Sequence, residues 1–165
     1  MRKLCLFFVI LMCSACSLNH GKPIATLHYS KVEQLRETGI YQVYFTSDVA
    51  ILGLFKSRIG EGLVCSLEDD MDFSQAHHIR RSGFGFVERV VDSPQEIYKA
   101  DVIFSESESG KGGEKYLQGE ALVPLLRGRD YISCVFRVHT TTYKTYFSNL
   151  MYVPVGELLK AATKK

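Results

Sequence analysis

Between Tyr131 and His139 the side chains alternate: Ile132, Cys134, Phe136 and Val138 are apolar and take one face, while Ser133, Arg137 and His139 take the other. A period of two over this length predicts a half-buried strand of an antiparallel sheet. Leu63, Cys65 and Leu67 repeat the pattern, so both cysteines are expected to point into a core. Further strands are predicted over Ile24–Tyr29, Ile40–Phe45, Phe84–Val91, Val102–Phe104, Leu122–Leu126 and Tyr143–Val153. Pro124 places its strand at an edge or bulge. Gly60-Glu61-Gly62 is expected to turn, Val49–Phe55 is undecided between strand and short helix, Pro94–Ala100 predicts a helical turn, and Val155–Ala162 a terminal helix.

The first residues belong to a different class of segment. Arg2 and Lys3 precede an apolar run, Leu4 to Met12, and Cys13-Ser14-Ala15-Cys16 closes it with small residues. This is the layout of a signal peptide, too short to span a bilayer as a helix. It resembles the bacterial lipoprotein class, in which a small residue precedes a cysteine that is diacylated, cut before and then N-acylated; Cys13 stands where those signals usually carry Leu. The resemblance implies a signal peptide over residues 1–15, lipidation at Cys16, and a lipidated tether over 16–23. A single domain is expected over 24–165, and Ser17 in place of Asp implies the outer membrane, facing the periplasm. Membrane attachment would come through the acyl chains on Cys16, each buried methylene contributing about 0.8 kcal/mol.

Removing residues 1–15 from the 165 leaves 150, enough for one modest core. The 20 basic residues lose Arg2 and Lys3, leaving 18 against 18 acidic ones. A neutral chain has no net field to draw in nucleic acid or anionic headgroups, so no nucleic-acid partner is expected. Of five cysteines, Cys5 and Cys13 leave with the signal and Cys16 takes lipid, which leaves Cys65 and Cys134 in an oxidising compartment. A disulfide is the simplest reading, two separate buried thiols the alternative. Closing a loop of about 70 residues would stabilise the fold by roughly 4 kcal/mol.

Two core-facing cysteines so spaced resemble the inter-sheet bridge of immunoglobulin-like sandwiches, although the chain has no Trp to pack against it. Leu126-x-Gly128-x-x-Tyr131 resembles the tyrosine corner of that family. The expected fold is therefore mainly β: an antiparallel immunoglobulin-like β-sandwich with a short C-terminal helix.

Three stretches invite a chemical reading. The acidic run 68–72 lacks the sixth-position Gly and closing Glu of a calcium loop, so a solvated loop is expected. Residues 105–115 are low in complexity and predict a mobile exposed loop, and the Lys of their Ser-Gly-Lys-Gly-Gly core is not followed by Ser or Thr as phosphate binding would require. Ser82–Glu88 resembles the RNP1 strand of RNA-recognition motifs, but Arg89 stands at the third stacking position and Asp48–Phe55 is too short for the first helix. Glycines at a close backbone approach explain the stretch better.

His77-His78 beside Arg80-Arg81 forms the most conspicuous polar cluster. Adjacent side chains on an extended segment diverge, which argues against a shared metal. Together with Asp70 and Asp72 these residues are the candidate partner-binding patch. No nucleophile elbow, HExxH or paired-cysteine motif is present, so no enzyme, cofactor or metal is expected; triads assembled from distant residues stay open.

Taken whole, the lipobox, the early strand with one Cys and the Gly128-x-x-Tyr131 strand before a final hairpin resemble small enterobacterial type VI secretion immunity lipoproteins. The resemblance implies a protein-binding module that occludes an envelope-targeted toxin, with contacts in loops 68–82 and 105–118. A structural or assembly lipoprotein of a secretion system or pilus, and an envelope hydrolase or lysozyme inhibitor, are the alternatives.

Overall fold

The computed structural model describes residues 20–91, 93, 95–107, 113–142 and 144–163. The expected signal peptide and lipidation site, residues 1–15 and Cys16, lie outside the described residues. Strand β1 (Leu27–Gln34) pairs with β2 (Ile40–Ser47), and β2 with the eleven-residue β6 (Ile97–Ser107). On the other side of β6 lie β4 (Arg81–Gly85) and its continuation β5 (Val87–Arg89). β4 pairs with β3 (Arg58–Ser66), β3 with β8 (Tyr131–Thr140), and β8 with both β9 (Thr145–Phe147) and β10 (Met151–Pro154). A short β7 (Glu114–Leu117) adds to the free length of β6. All pairings are antiparallel, and the ten strands form one sheet.

That ribbon curls until its ends meet. The His20 and Ile24 amides donate to the carbonyls of Thr145 and Phe147, and the Asn149 amide to Ala25. Further along the seam the helix α2 (Val155–Thr163) packs against β1 and β10, and the Tyr29 hydroxyl donates to Glu157. Val155, Leu158, Ala161 and Ala162 of α2 are buried, filling the gap between the two outer strands. The outcome is a mainly β antiparallel fold, sandwich-like or half-barrel in form, with the predicted C-terminal helix. Its core holds Tyr41, Val43, Phe45, Leu63, Ala100, Val102, Phe104, Phe136, Val138 and Leu158, all fully buried.

Burial of polar atoms inside this core is matched by partners. The Tyr98 hydroxyl accepts from the Ile51 amide and donates to Glu96. Burial, reinforced by that carboxylate, pushes its pKa up to about 12. Ile51 itself is fully buried: Val49–Phe55, undecided from sequence, is a turn and loop that closes one end of the core.

Cys65 and Cys134 are bonded, with Cα atoms 4.0 Å apart. They are register partners on β3 and β8, so the bridge joins neighbouring strands of one sheet and not two facing sheets. The tyrosine-corner expectation also fails, because Tyr131 is exposed and meets Tyr152 edge-on across β8 and β10. Leu122–Leu126 is helical, not a strand: a 3₁₀ turn (Gly119–Leu122) runs into α1 (Val123–Leu126), with Pro124 in the first turn, where its missing amide costs nothing. Leu122 and Leu126 are buried there.

Strand pairing overrides two further local signals. Gly60 and Gly62 lie inside β3, and Ile97–Ala100 opens β6 instead of forming a helical turn. Of the low-complexity stretch, Ser105–Ser107 end β6 and Glu114–Lys115 begin β7, while 108–112 fall outside the described residues. The glycine reading of Ser82–Glu88 holds. A Cβ on Gly83 would stand 2.5 Å from the Phe104 ring, and one on Gly85 would stand 2.6 Å from the Asp101 carbonyl oxygen.

Replacing both bridged cysteines, Cys65→Ala with Cys134→Ala, is expected to cost about 2–5 kcal/mol. Urea unfolding of the oxidised parent and the variant checks this. Equal midpoints would mean that β3 and β8 hold their register without the bond.

Candidate functional site

The outer face of the sheet carries two different surfaces. Across five strands runs the row Val135, Val64, Phe84, Ile103 and Ile40. The chain leaving β3 folds back over the first part of it. Phe73 and Ile79, from the loop Leu67–Arg80, bury Val64 and Val135 in a second small cluster with Phe147 and Leu150 at its margin. The loop stops there. Phe84 and Ile103 remain 40% and 41% exposed, joined by Phe86 at 68% and Tyr116 at 66%. The Phe84 and Phe86 rings touch edge to face at 5.1 Å, so the strip is a packed aromatic surface rather than scattered residues.

Of the predicted patch residues, Asp72, His77 and His78 line a cavity with Phe84, whereas Arg81, three residues from Phe84 along β4, takes the opposite face. Asp70 bonds His77 through its Oδ2 and accepts the Asp72 amide through its Oδ1, while Asp72 accepts the Ser74 amide and stands 4.0 Å from His77 Nδ1. These local bonds fix the loop's shape. His78 turns the other way, its Nε2 2.6 Å from Ser107 Oγ. Arg80 and Arg81 both reach Glu106: Arg80 Nη2 at 2.8 Å, and Arg81 Nε and Nη2 each at 3.0 Å from the same Oε1. Arg81 also approaches Glu68 at 3.6 Å, and Arg129 pairs with Asp69 at 2.9 Å.

Six sequence-selected residues are thus brought to one region, but in three separate contacts. Asp70, Asp72 and His77 form one; His78 with Ser107 a second; Arg80 and Arg81 on Glu106 a third. Arg81 belongs to β4, and its cross-strand partner is Glu106 of β6, so the third contact is built into the sheet register. The two imidazoles point to different partners. Among the described residues no cluster of three or more His, Cys, Asp or Glu is disposed to hold a metal.

His78 and Ser107 have the reach of a base and a hydroxyl nucleophile. The rest of a triad is missing among the described residues. No carboxylate bonds the second nitrogen of His78, and Ser107 Oγ donates to the Arg80 carbonyl, so this contact ties the loop to the end of β6.

Sequence reasoning missed Glu106, the aromatic strip and Arg137. Arg137 was placed on the polar face of its strand, which reads as solvent. Instead it lines a cavity of about 170 Å³ between the loop and the sheet, with Val64, Phe73, Ile79, Phe84, His77 and His78 in the same walls. Burial pulls its guanidinium below the ordinary value. His139, on the same face of β8, is lowered by burial and then by Arg137.

The hydrogen bond His77 donates to Asp70, followed by the charges of both nearby carboxylates, raises His77 above its ordinary 6.5, although partial desolvation opposes this. Asp70 is lowered from 3.8 chiefly by the same bond, and Asp72 from 3.8 chiefly by Ser74. A raised histidine stabilises fully below 6.5 and loses its contribution as pH climbs through its own raised value. The lowered carboxylates contribute above 3.8 and lose it as pH falls through theirs. The loop is therefore expected to be held best between 3.8 and 6.5. Ring-proton titration checks it: His77 should titrate above 6.5, His139 below, and Asp70→Asn should bring His77 back down. An unmoved His77 in that variant would dissolve the contact.

Comparison with family models, with curated proteins and with solved structures finds no match to this chain. What the face does has to be argued from its own chemistry.

Proposed function

We propose that this is a lipid-anchored, periplasm-facing protein of the outer membrane that binds a protein partner, and that the partner is an envelope-targeted toxin which it blocks, in the manner of type VI secretion immunity lipoproteins. One observation carries the binding reading. An exposed aromatic strip on a rigid sheet lies beside a charged loop, whose Asp72, His77 and His78 share a cavity wall with Phe84 and whose Asp70 bonds His77. An apolar, aromatic centre with a polar rim is the composition of a protein interface. The rim's ionic contacts are exposed or partly so and contribute little to stability. Their use lies in orienting a partner.

Anchoring is supported by the sequence of residues 1–17 and by how near His20, which is bonded into the fold, lies to Cys16 along the chain. The His20 amide is bonded to Thr145, and its ring packs on Tyr146 at 4.7 Å. Only residues 17–19 separate Cys16 from that point. Fully extended, such a connection spans about 14 Å. Among the described residues no helix is long and apolar enough to cross a membrane.

Two outcomes are expected. Metabolic labelling with an alkynyl fatty acid should mark the parent and not Cys16→Ser, and an unlabelled parent would sink the acyl anchor. Capture on the tagged full-length chain, from envelopes and from neighbouring competitor cells, should return a toxin at one-to-one stoichiometry. Phe86→Ala should weaken that complex at least about tenfold, some 1.4 kcal/mol. Recovery of outer-membrane assembly machinery, or of nothing above background, overturns the immunity reading in favour of an assembly lipoprotein.

A further inference from the structure

Among the described residues Lys31, Arg58, Arg80, Arg81, Lys99 and Arg129 are engaged in ion pairs. Every other described Lys or Arg is exposed to solvent, with one exception, Arg137. Its guanidinium is partly buried, lines the cavity beneath the Asp70–Ile79 loop, and has no hydrogen-bond or ion-pair partner among the described residues. Ser82 lines the same cavity, and its hydroxyl also lacks a described partner. The other polar groups of the walls each have a nearer partner than Arg137. His78 is bonded to Ser107, His77 to Asp70, and Asp72 accepts the Ser74 amide while facing His77.

We infer that this cavity is a socket for one carboxylate side chain of a protein partner, gripped by Arg137 with Ser82 beside it. This rests on the binding reading above and gives its partner a chemistry. A partly desolvated guanidinium left without an acceptor is unfavourable, and its planar fork suits a carboxylate held by two parallel hydrogen bonds. At about 170 Å³ the space is below the roughly 300 Å³ at which drug-sized ligand pockets begin, and fits a single side chain. Phe84 forms one wall of the cavity and part of the exposed strip. A partner laid on the strip therefore has the socket within its footprint, and its acidic residue would be an anchor ringed by apolar contact. A solvated phosphate or sulfate would gain nothing from that strip.

The test titrates the full-length, disulfide-bonded, ¹⁵N-labelled chain in detergent with N-acetylglutamate and, separately, with inorganic phosphate. The expected result is a saturable shift of the Arg137 Nε–H and Ser82 amide signals with N-acetylglutamate. Arg137→Lys should weaken it at least about tenfold, since an ammonium cannot replace the fork. Ser82→Ala reports on the same socket should the Arg137 variant not fold. Signals that fail to saturate, shifts spread over the exposed lysines, equal or tighter binding of phosphate, or Arg137→Lys that binds as the parent does would each assign Arg137 to packing and end the proposal. The two readings fail separately. A captured partner indifferent to Arg137→Lys removes the socket alone, whereas a saturable carboxylate site in a chain that captures no toxin removes the immunity role alone.

Discussion

The register shared by β3 and β8 is what the remaining architecture hangs on. Eight residues of β3 face β8, and at Cys65 and Cys134 the pairing is covalent. Sheet register is otherwise set by apolar pattern, and a one-residue slip would exchange every face. Here such a slip would expose Leu63 and Phe136 while burying Arg137, so the bond and the pattern enforce one arrangement. From β3 the register passes to β4, where Gly83 and Gly85 let strands approach too closely for any side chain, and then to β6. Glu106 faces Arg81 only because those steps are fixed.

The candidate face follows from how the loop after β3 spends its apolar residues. Phe73 and Ile79 cover Val64 and Val135 but reach no further along the row, so Phe84 and Ile103 stay partly open next to charged groups. Glu106 takes both arginines on a single oxygen and so anchors the loop's return to the sheet. Sheet, strip and loop meet at β6: Ile103 joins the strip on one face, while Glu106 and Ser107 hold the loop's return at the strand's end.

Much of the fold was legible where periodicity and burial coincide. Tyr131–His139 and Leu63–Leu67 alternate because one of their faces lies in a large core, and Val155–Ala162 repeats at helical spacing because it plugs a seam. The failures share one cause, namely contacts distant in sequence. Gly60 and Gly62 carry a turn signal, yet pairing with His139 and Arg137 of β8 holds them extended. Pro124 argued for an edge strand, whereas packing of Leu122 and Leu126 selects a helix. The bridge was foreseen as a pair, but sequence spacing carries no information on whether two strands are neighbours or face each other. At the site, the charged residues were visible as a cluster. Arg137 was not, because its strand's polar face is covered by a loop sixty residues away in sequence, for which alternation has no sign.

The seam at the amino terminus has a mechanical consequence. Residues 20–25 are laid against β9 and Asn149 by single backbone bonds, and residues 21–23 also border the hollow over Phe73, Phe147 and Leu150. Tension applied ahead of His20 would load the bonds to Thr145 and Phe147 one after another, peeling the strap away from the loop Met71–Ser74 before any force reached the covalent tie between β3 and β8. The protein is therefore strongest across its middle and weakest at the strap ahead of β1, and a pull there would first be felt at the margin of the face argued to receive a partner.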